Sequence, residues 1–233
     1  MADSPQRPDI ASCDALRYSD QAVQPDARCE SFAIVDATGV RKATLADRHA
    51  AVAGYVLNAT APDAVRIHFE TAKNLYLYGW FVYRFHPVAE QQALASLEFA
   101  LRERIAPSNY PSRDSAGKPG LTKLLTQAKK LGLIRNDALR DRLARATAIA
   151  RERHQFELFE EMHRTGATEI SFDDSRVQPT SEDLNHDWIA IFVESLPLIR
   201  NSYAHGSGML HPTVLHTFGI VCELINQLYP EDA

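Results

Sequence analysis

The sequence lacks any apolar run long enough to cross a membrane, and its first residues lack a basic region followed by an apolar stretch. A transmembrane helix needs about 20 mostly apolar residues, and a secretory signal needs both of those regions, so we expect neither. Cysteine is also scarce, since only three occur in 233 residues and none lies in a Cys-x-x-Cys pair. Three cysteines cannot all pair within one chain, which favours a reduced, cytoplasmic protein.

Motifs that cradle phosphates, bind dinucleotides or activate a serine are missing as well. The sequence contains no Gly-x-x-x-x-Gly-Lys-Ser/Thr, no Gly-x-Gly-x-x-Gly and no Gly-x-Ser-x-Gly. Nucleotide hydrolysis and serine-hydrolase chemistry therefore have no support. Nine histidines are present, but they form neither a His-Glu-x-x-His pair nor a Cys/His ligand set, so we expect neither a metal nor a cofactor.

Positively and negatively charged residues are nearly balanced over the whole chain, but they are unevenly distributed along it. The formal net charge of −5 argues against a protein that coats nucleic acid through bulk charge. Residues 118–153, however, hold ten lysines and arginines against three acidic residues. A solvated helix face is the commoner explanation of such a stretch. The alternative is that some of these cations contact RNA, the candidates being Lys123, Lys129, Lys130, Arg142 and Arg145.

The chain divides by composition into three predicted regions. Residues 1–30 are rich in Asp, Pro, Ser and Gln, which predicts a poorly ordered arm. In residues 31–60, two β-prone runs flank an Asp-Ala-Thr-Gly turn and predict a small hairpin, followed by an accessory helix with Thr44 as its N-cap. Residues 61–233 show mainly helical periodicity, so we predict an all-α protein whose helical bundle carries a β-hairpin accessory.

Apolar stripes and turn residues set the predicted elements of residues 61–233. These elements are helices at 63–83, 87–106, 121–132 and 136–166, a strand at 168–174, and helices at 180–206 and 211–229. In the first of the last two helices, Thr180 and Asp183 predict a capping box. Gly166 is the predicted stop of the longest helix.

The most informative segment lies near the end of the helix predicted at 180–206. Asn201 and His205 are four residues apart and share one side of this helix, with Arg200 at its margin. Pro197 removes one helical hydrogen bond and predicts a kink just before Arg200. The opposite face is apolar and should be buried, and it consists of Leu184, Trp188, Ile189, Phe192, Leu196, Ile199 and Tyr203.

Arginine, asparagine and histidine in this arrangement suit RNA cleavage. A transesterification needs a proton acceptor near the 2′-hydroxyl, an acid for the leaving oxygen and a cation for the developing charge. His205 titrates near neutral pH and can exchange the proton, while Arg200 offers phosphate a planar fork of donors. Asn201 can orient either side chain. No metal is needed, because RNA carries its own nucleophile.

The segment Arg-Asn-Ser-Tyr-Ala-His at residues 200–205 resembles the R-x(4–6)-H signature of the HEPN superfamily. The likeness extends to its place late in a helical bundle and covers residues 61–229. The resemblance implies a HEPN-like helical domain whose homodimer brings two motif helices into one composite RNA-cleaving site. It also implies that Arg200 and His205 are catalytic, that Asn201 supports them, and that Ser202, Tyr203 and Ala204 inherit no role.

Membership of this superfamily is compatible with several functions. Many HEPN proteins act in toxin–antitoxin or antiviral systems, which implies an antitoxin or another regulatory protein as a further partner. Others lack nuclease activity and bind RNA or protein. A third hypothesis is a plain helical dimerisation protein with an accidental motif, in which Arg200 and His205 would be scattered or held in ion pairs. We interpret Glu98 and Arg102, four residues apart, as a structural ion pair.

Overall fold

The computed structural model describes residues 14–37, 39–109, 119–204 and 214–231. Within these ranges the chain is mostly helical, with eight α-helices and one two-stranded antiparallel hairpin near the amino terminus. The predicted all-α class with a small hairpin accessory is therefore confirmed. No helix in the described part of the chain is both long and apolar enough to span a membrane.

The hairpin and the first helix form where local sequence signals predict them. Strands β1 (Ala33–Asp36) and β2 (Gly39–Lys42) pair in the register Ala33 with Lys42. Gly39 has a φ of 117°, a conformation that side chains rarely adopt and that the turn requires. Helix α1 (Leu45–Ala53) begins with a complete capping box between Thr44 and Asp47.

Contacts along the backbone divide the chain into two compact units. The first unit comprises Met1–Arg104 and Leu196–Ala233. Its core is built by α2 (Asp63–Tyr78), α3 (Phe85–Arg104) and α8 (Val214–Leu228), with α3 packed against both of the others. These helices are held together by apolar side chains that are almost completely buried, including Phe69, Leu94, Leu97, Phe218 and Leu224. Removing such side chains from water is the main stabilising contribution to this core.

Helix α2 ends at Tyr78, five residues earlier than its predicted end. Gly79, which follows it, lies directly against the imidazole of His86, and a Cβ at this position would come within 2.5 Å of His86 Cε1. The absence of a side chain at residue 79 therefore allows the chain to turn sharply and begin α3 at Phe85. The predicted helix start at Pro87 was two residues late.

The second unit comprises Ile105–Ser195. It contains α4 (Leu121–Lys130), α5 (Arg142–Thr165), α6 (Ser181–Leu184) and the first turns of α7 (Trp188–Ala204). Its buried apolar side chains come from α4, α5 and α7 and include Leu124, Leu125, Ala146, Ile189 and Phe192. Gly166 ends α5 with a φ of 69°, as predicted for a helix stop.

Helix α5 begins at Arg142 and not at Asn136, so the predicted start was wrong. The Asn136 side chain bonds elsewhere, because its Oδ1 accepts a hydrogen bond from the backbone N–H of Ile189 at 3.0 Å. Its Nδ2 donates to Asp187 at 2.8 Å. Asn136 thus satisfies a free N–H in the first turn of α7 instead of capping its own helix.

Two further predictions between α5 and α7 were wrong. Residues 168–174 do not form a strand, and the described part of the second unit contains no strand with which they could pair. The helix predicted at 180–206 is interrupted, since α6 ends at Leu184 and α7 begins at Trp188. The capping box of Thr180 and Asp183 is confirmed, and it starts the short α6. Pro197 lies inside α7 and is buried.

Candidate functional site

The predicted core face of α7 is largely buried. Ile189, Phe192 and Leu196 are at most 2% exposed, whereas Trp188 is only half-buried. On the other side of the helix Asn201 is exposed and Arg200 is half-buried. This agrees with the periodicity argument for these two motif residues. His205, which the same argument assigns to catalysis, lies outside the described residues, as does the rest of the chain up to residue 213.

Arg200 sits beside a buried carboxylate of α3. Its Nη2 lies 3.6 Å from Glu98 Oε2, while 41% of the arginine side chain and 7% of the glutamate side chain are exposed. Glu98 also forms an ion pair with Arg102, which confirms that predicted pair. One carboxylate thus lies between two guanidinium groups, so these three side chains together carry a charge of +1. Because the Arg200–Glu98 contact is long and half-open to solvent, it leaves donors of Arg200 for an anion.

The last turn of α7 is anchored by a second carboxylate. The Tyr203 hydroxyl donates to Glu90 Oε2 at 2.6 Å, and the Thr217 hydroxyl of α8 donates to Glu90 Oε1. Glu90 is completely buried. Burial and the hydrogen bond to Glu90 raise the pKa of Tyr203, so its hydroxyl keeps its proton. The motif helix is therefore tied to both α3 and α8 one turn from Arg200.

Sequence reasoning missed the role of Glu90 and assigned none to Tyr203. A signal was present, because Glu90 lies 4, 7 and 11 residues before Leu94, Leu97 and Leu101, in the middle of the apolar stripe of α3. A charged residue at such a position must have polar partners when buried. Its partners come from α7 and α8, which are more than 100 residues away along the chain.

The five candidate RNA-binding cations all lie in the second unit, and the structure shows how Lys129, Arg142 and Arg145 are held. Lys129 Nζ lies 2.7 Å from Asp187. Arg142 donates to the Leu184 carbonyl and to Asn185. The guanidinium carbon of Arg145 lies 5.6 Å from the ring centroid of Trp188 and 5.5 Å from that of Phe192. The other two candidates lie on α4, where Lys123 is half-buried and Lys130 is exposed.

Other cations of the basic stretch also meet acidic residues of the same unit. Arg153 binds both carboxylate oxygens of Asp183 at 2.8 Å, and Arg151 lies 2.6 Å from Asp174. Hydrogen bonds from Lys129 and Asn136 lower the pKa of Asp187 to about 2. The charge of residues 118–153 is therefore partly neutralised by residues 173–187, which reduces the positive field available to RNA.

Within the described ranges, no group of three or more histidine, cysteine, aspartate or glutamate side chains could hold a metal ion. Cys29 and Cys222 are both buried. Comparison of this chain with known proteins found no matching family model, no matching curated protein and no matching solved structure.

Proposed function

We propose that this protein is a metal-independent endoribonuclease of HEPN type. The observation that carries the proposal is the position of Arg200 and Asn201 on the accessible side of α7, within one turn of a half-buried tyrosine that is anchored to Glu90. In a HEPN-like bundle these residues and His205 would belong to one site, with a partner protomer completing it. Preorganised charge of this kind is usually the largest contribution to phosphate chemistry.

In this proposal each motif side chain has one task. His205 transfers the proton between the 2′-hydroxyl, the leaving 5′-oxygen and solvent. Arg200 stabilises the negative charge that develops on the phosphate, and Asn201 holds a phosphate oxygen or a neighbouring side chain. The 2′-oxygen bonds to phosphorus while the bond from phosphorus to the 5′-oxygen breaks, which leaves a 2′,3′-cyclic phosphate and a 5′-hydroxyl.

Glu98 and Glu90 are positioning residues in this scheme. Glu98 restrains the guanidinium of Arg200 from the buried side and leaves its outer edge accessible. Glu90 holds the last turn of α7 through Tyr203. A site fixed by such contacts needs less reorganisation when the substrate binds.

A second candidate function is a non-catalytic HEPN-like module that binds RNA or protein. The ion pair between Arg200 and Glu98 fits an inactive motif, and it is also what the third hypothesis, an accidental motif in a dimerisation protein, predicts for Arg200. The structural contacts of Lys129, Arg142 and Arg145 reduce the free charge available for RNA, which favours the protein-binding form of this module. Such a module would bind its RNA or protein partner but would not cleave RNA.

The protein would act as a homodimer in the cytoplasm, as a toxin or antiviral effector restrained by an antitoxin or another regulatory protein. The exposed side of α7 that carries Asn201 is the surface on which a second motif helix would pack. A specific dimer of this kind should bury at least about 1,000 Å² in total. Sedimentation at micromolar concentration should give twice the chain mass, and a persistent monomer would contradict the composite site.

The proposal is tested by incubating the full chain with a pool of labelled RNAs in EDTA, beside a DNA copy of each. Wild-type protein should cut RNA and leave the DNA intact, because DNA lacks the 2′-hydroxyl. The double variant Arg200→Ala, His205→Ala should cut neither. Cleavage of DNA or loss of activity in EDTA would refute the mechanism. RNA binding without cleavage by wild-type protein would establish the second candidate.

A further inference from the structure

An arginine is buried in the first unit without a carboxylate partner. Arg48 of α1 is 9% exposed, and in the described part of the chain no Asp or Glu forms an ion pair with it. A buried charge that lacks a counter-ion destabilises the folded protein. The surroundings of Arg48 therefore show what offsets this cost and whether a partner is missing.

The contacts of Arg48 compensate this cost only in part. Its guanidinium carbon lies 4.7 Å from the ring centroid of Phe32, 5.5 Å from that of Tyr76 and 5.6 Å from that of Trp80. Cation–π contacts of this kind stabilise a cation less than a carboxylate partner does. The rings attract the cation but bring no negative charge.

His86 is a polar neighbour of Arg48 and is neutral, as is the Tyr76 hydroxyl, which also hydrogen-bonds with Arg48. Arg48 Nη1 lies 2.8 Å from His86 Nε2, and because an arginine cannot accept a hydrogen bond, Nε2 is the acceptor. The ring proton is therefore on Nδ1, which is buried and has no hydrogen-bond partner in the described ranges. Burial and the adjacent guanidinium lower the pKa of His86 to about 4. The positive charge of Arg48 thus stays uncompensated.

Arg48 lines a cavity of about 300 Å³. Most of the cavity wall is apolar or aromatic, formed by Phe32, Ala33, Ile34, Ala43, Ala51, Tyr76, Tyr83, Val214 and Leu215. The one acidic lining residue, Asp47, is already bound by Arg41 at 2.7 and 2.8 Å and by its capping box. The cavity therefore presents one buried, unneutralised cation within a mostly apolar wall, in which Asp47 and His86 are the other polar residues that the structure describes.

We propose that this cavity binds a small organic carboxylate, with its apolar body against the cavity wall and its carboxylate paired with Arg48. A guanidinium fork matches a carboxylate in geometry and charge. The volume lies at the lower end of the range for small-molecule pockets, which suits a compact aromatic or short aliphatic acid. An inorganic anion would leave the apolar wall unfilled. This site is separate from the motif on α7 and does not depend on the proposed ribonuclease activity.

Calorimetric titration of the full chain tests the proposal with benzoate, its neutral analogue benzamide and inorganic phosphate as probes. Benzoate should bind at least tenfold more tightly than benzamide, and phosphate should not compete with it. Arg48→Gln should weaken benzoate binding at least tenfold. The matched control is Arg66→Gln, because Arg66 is an exposed arginine of α2 whose loss should leave the affinity unchanged.

A second variant is informative even if Arg48→Gln does not fold. Ala51 is an exposed lining residue of α1, so Ala51→Phe should fill the cavity and abolish benzoate binding while Arg48 stays in place. Equal affinities for benzoate and benzamide would overturn the proposal. So would undiminished benzoate binding by Ala51→Phe, or the absence of benzoate binding up to about 10 mM.

Discussion

Removal of one hydroxyl from the motif helix should destabilise the protein measurably. In Tyr203→Phe, the buried carboxylate of Glu90 loses its hydrogen bond from α7 and retains the hydrogen bond from Thr217 of α8. A hydrogen bond to a buried charged group contributes about 1.5–3 kcal/mol. We therefore expect the free energy of unfolding to fall by that amount, which for a chain of this size lowers the melting temperature by roughly 3–12 °C.

Urea unfolding followed by circular dichroism at a helical wavelength measures this change. Tyr78→Phe is the matched control, because Tyr78 is exposed and should lose less than about 0.5 kcal/mol. When Glu90 is replaced by glutamine, Tyr203→Phe should lower the free energy of unfolding by less, because a neutral amide depends on the tyrosine donor less than a carboxylate does. The double-mutant cycle of these two substitutions should give a coupling energy of about 1 kcal/mol or more. An effect of Tyr203→Phe no larger than the control would refute the anchoring role of Glu90.

Three further predictions concern charge. Burial and Arg48 lower the pKa of His86 in the folded protein to about 4, so as the pH falls from 7 the unfolded chain is protonated at this histidine before the folded protein is. The free energy of unfolding should therefore fall by roughly 3 kcal/mol as the pH is lowered from 7 to 4. Urea unfolding should show a flatter pH profile for His86→Gln, and an unchanged profile would contradict that assignment. Glu98→Gln should strengthen RNA binding and steepen its salt dependence, as measured by fluorescence anisotropy, and weaker binding would argue against an anion site at the motif. If α4 contacts RNA, Lys130→Gln should reduce the slope of log binding constant against log salt concentration by about one. Arg145→Gln should instead lower the free energy of unfolding by about 1 kcal/mol, because it removes the contacts with Trp188 and Phe192. The reverse pattern in these two assays would refute both assignments.

Local signals in the sequence were sufficient for several elements of the fold. The capping boxes at Thr44 and Thr180 involve residues three apart, so they can be recognised without knowledge of the tertiary structure. The turn before Gly39 and the helix stop at Gly166 are likewise local. The buried face of α7 follows from periodicity alone, because Ile189, Phe192 and Leu196 recur at helical spacing.

Elements that depend on distant partners were not predictable in the same way. Residues 168–174 alternate like a strand, but a strand forms only where another strand offers its backbone groups. Asn136 has the chemistry of a helix cap, yet its bond goes to Ile189, 53 residues away. The pairing of Glu90 with Tyr203 and the burial of Arg48 against three rings also join remote segments. Their sequence signature is only a charged residue in or beside an apolar stripe.

The single-turnover rate of RNA cleavage by wild-type protein and by His205→Ala, both in EDTA and on one RNA substrate, tests the central claim most directly. Wild-type protein should release a fragment with a 2′,3′-cyclic phosphate end. The variant should cleave roughly 10²–10⁴-fold more slowly, the usual effect of removing a general acid or base. Its free energy of unfolding should stay within about 0.5 kcal/mol of the wild-type value, because helical periodicity predicts that His205 lies outside the core. Equal cleavage rates for the two proteins would contradict the account.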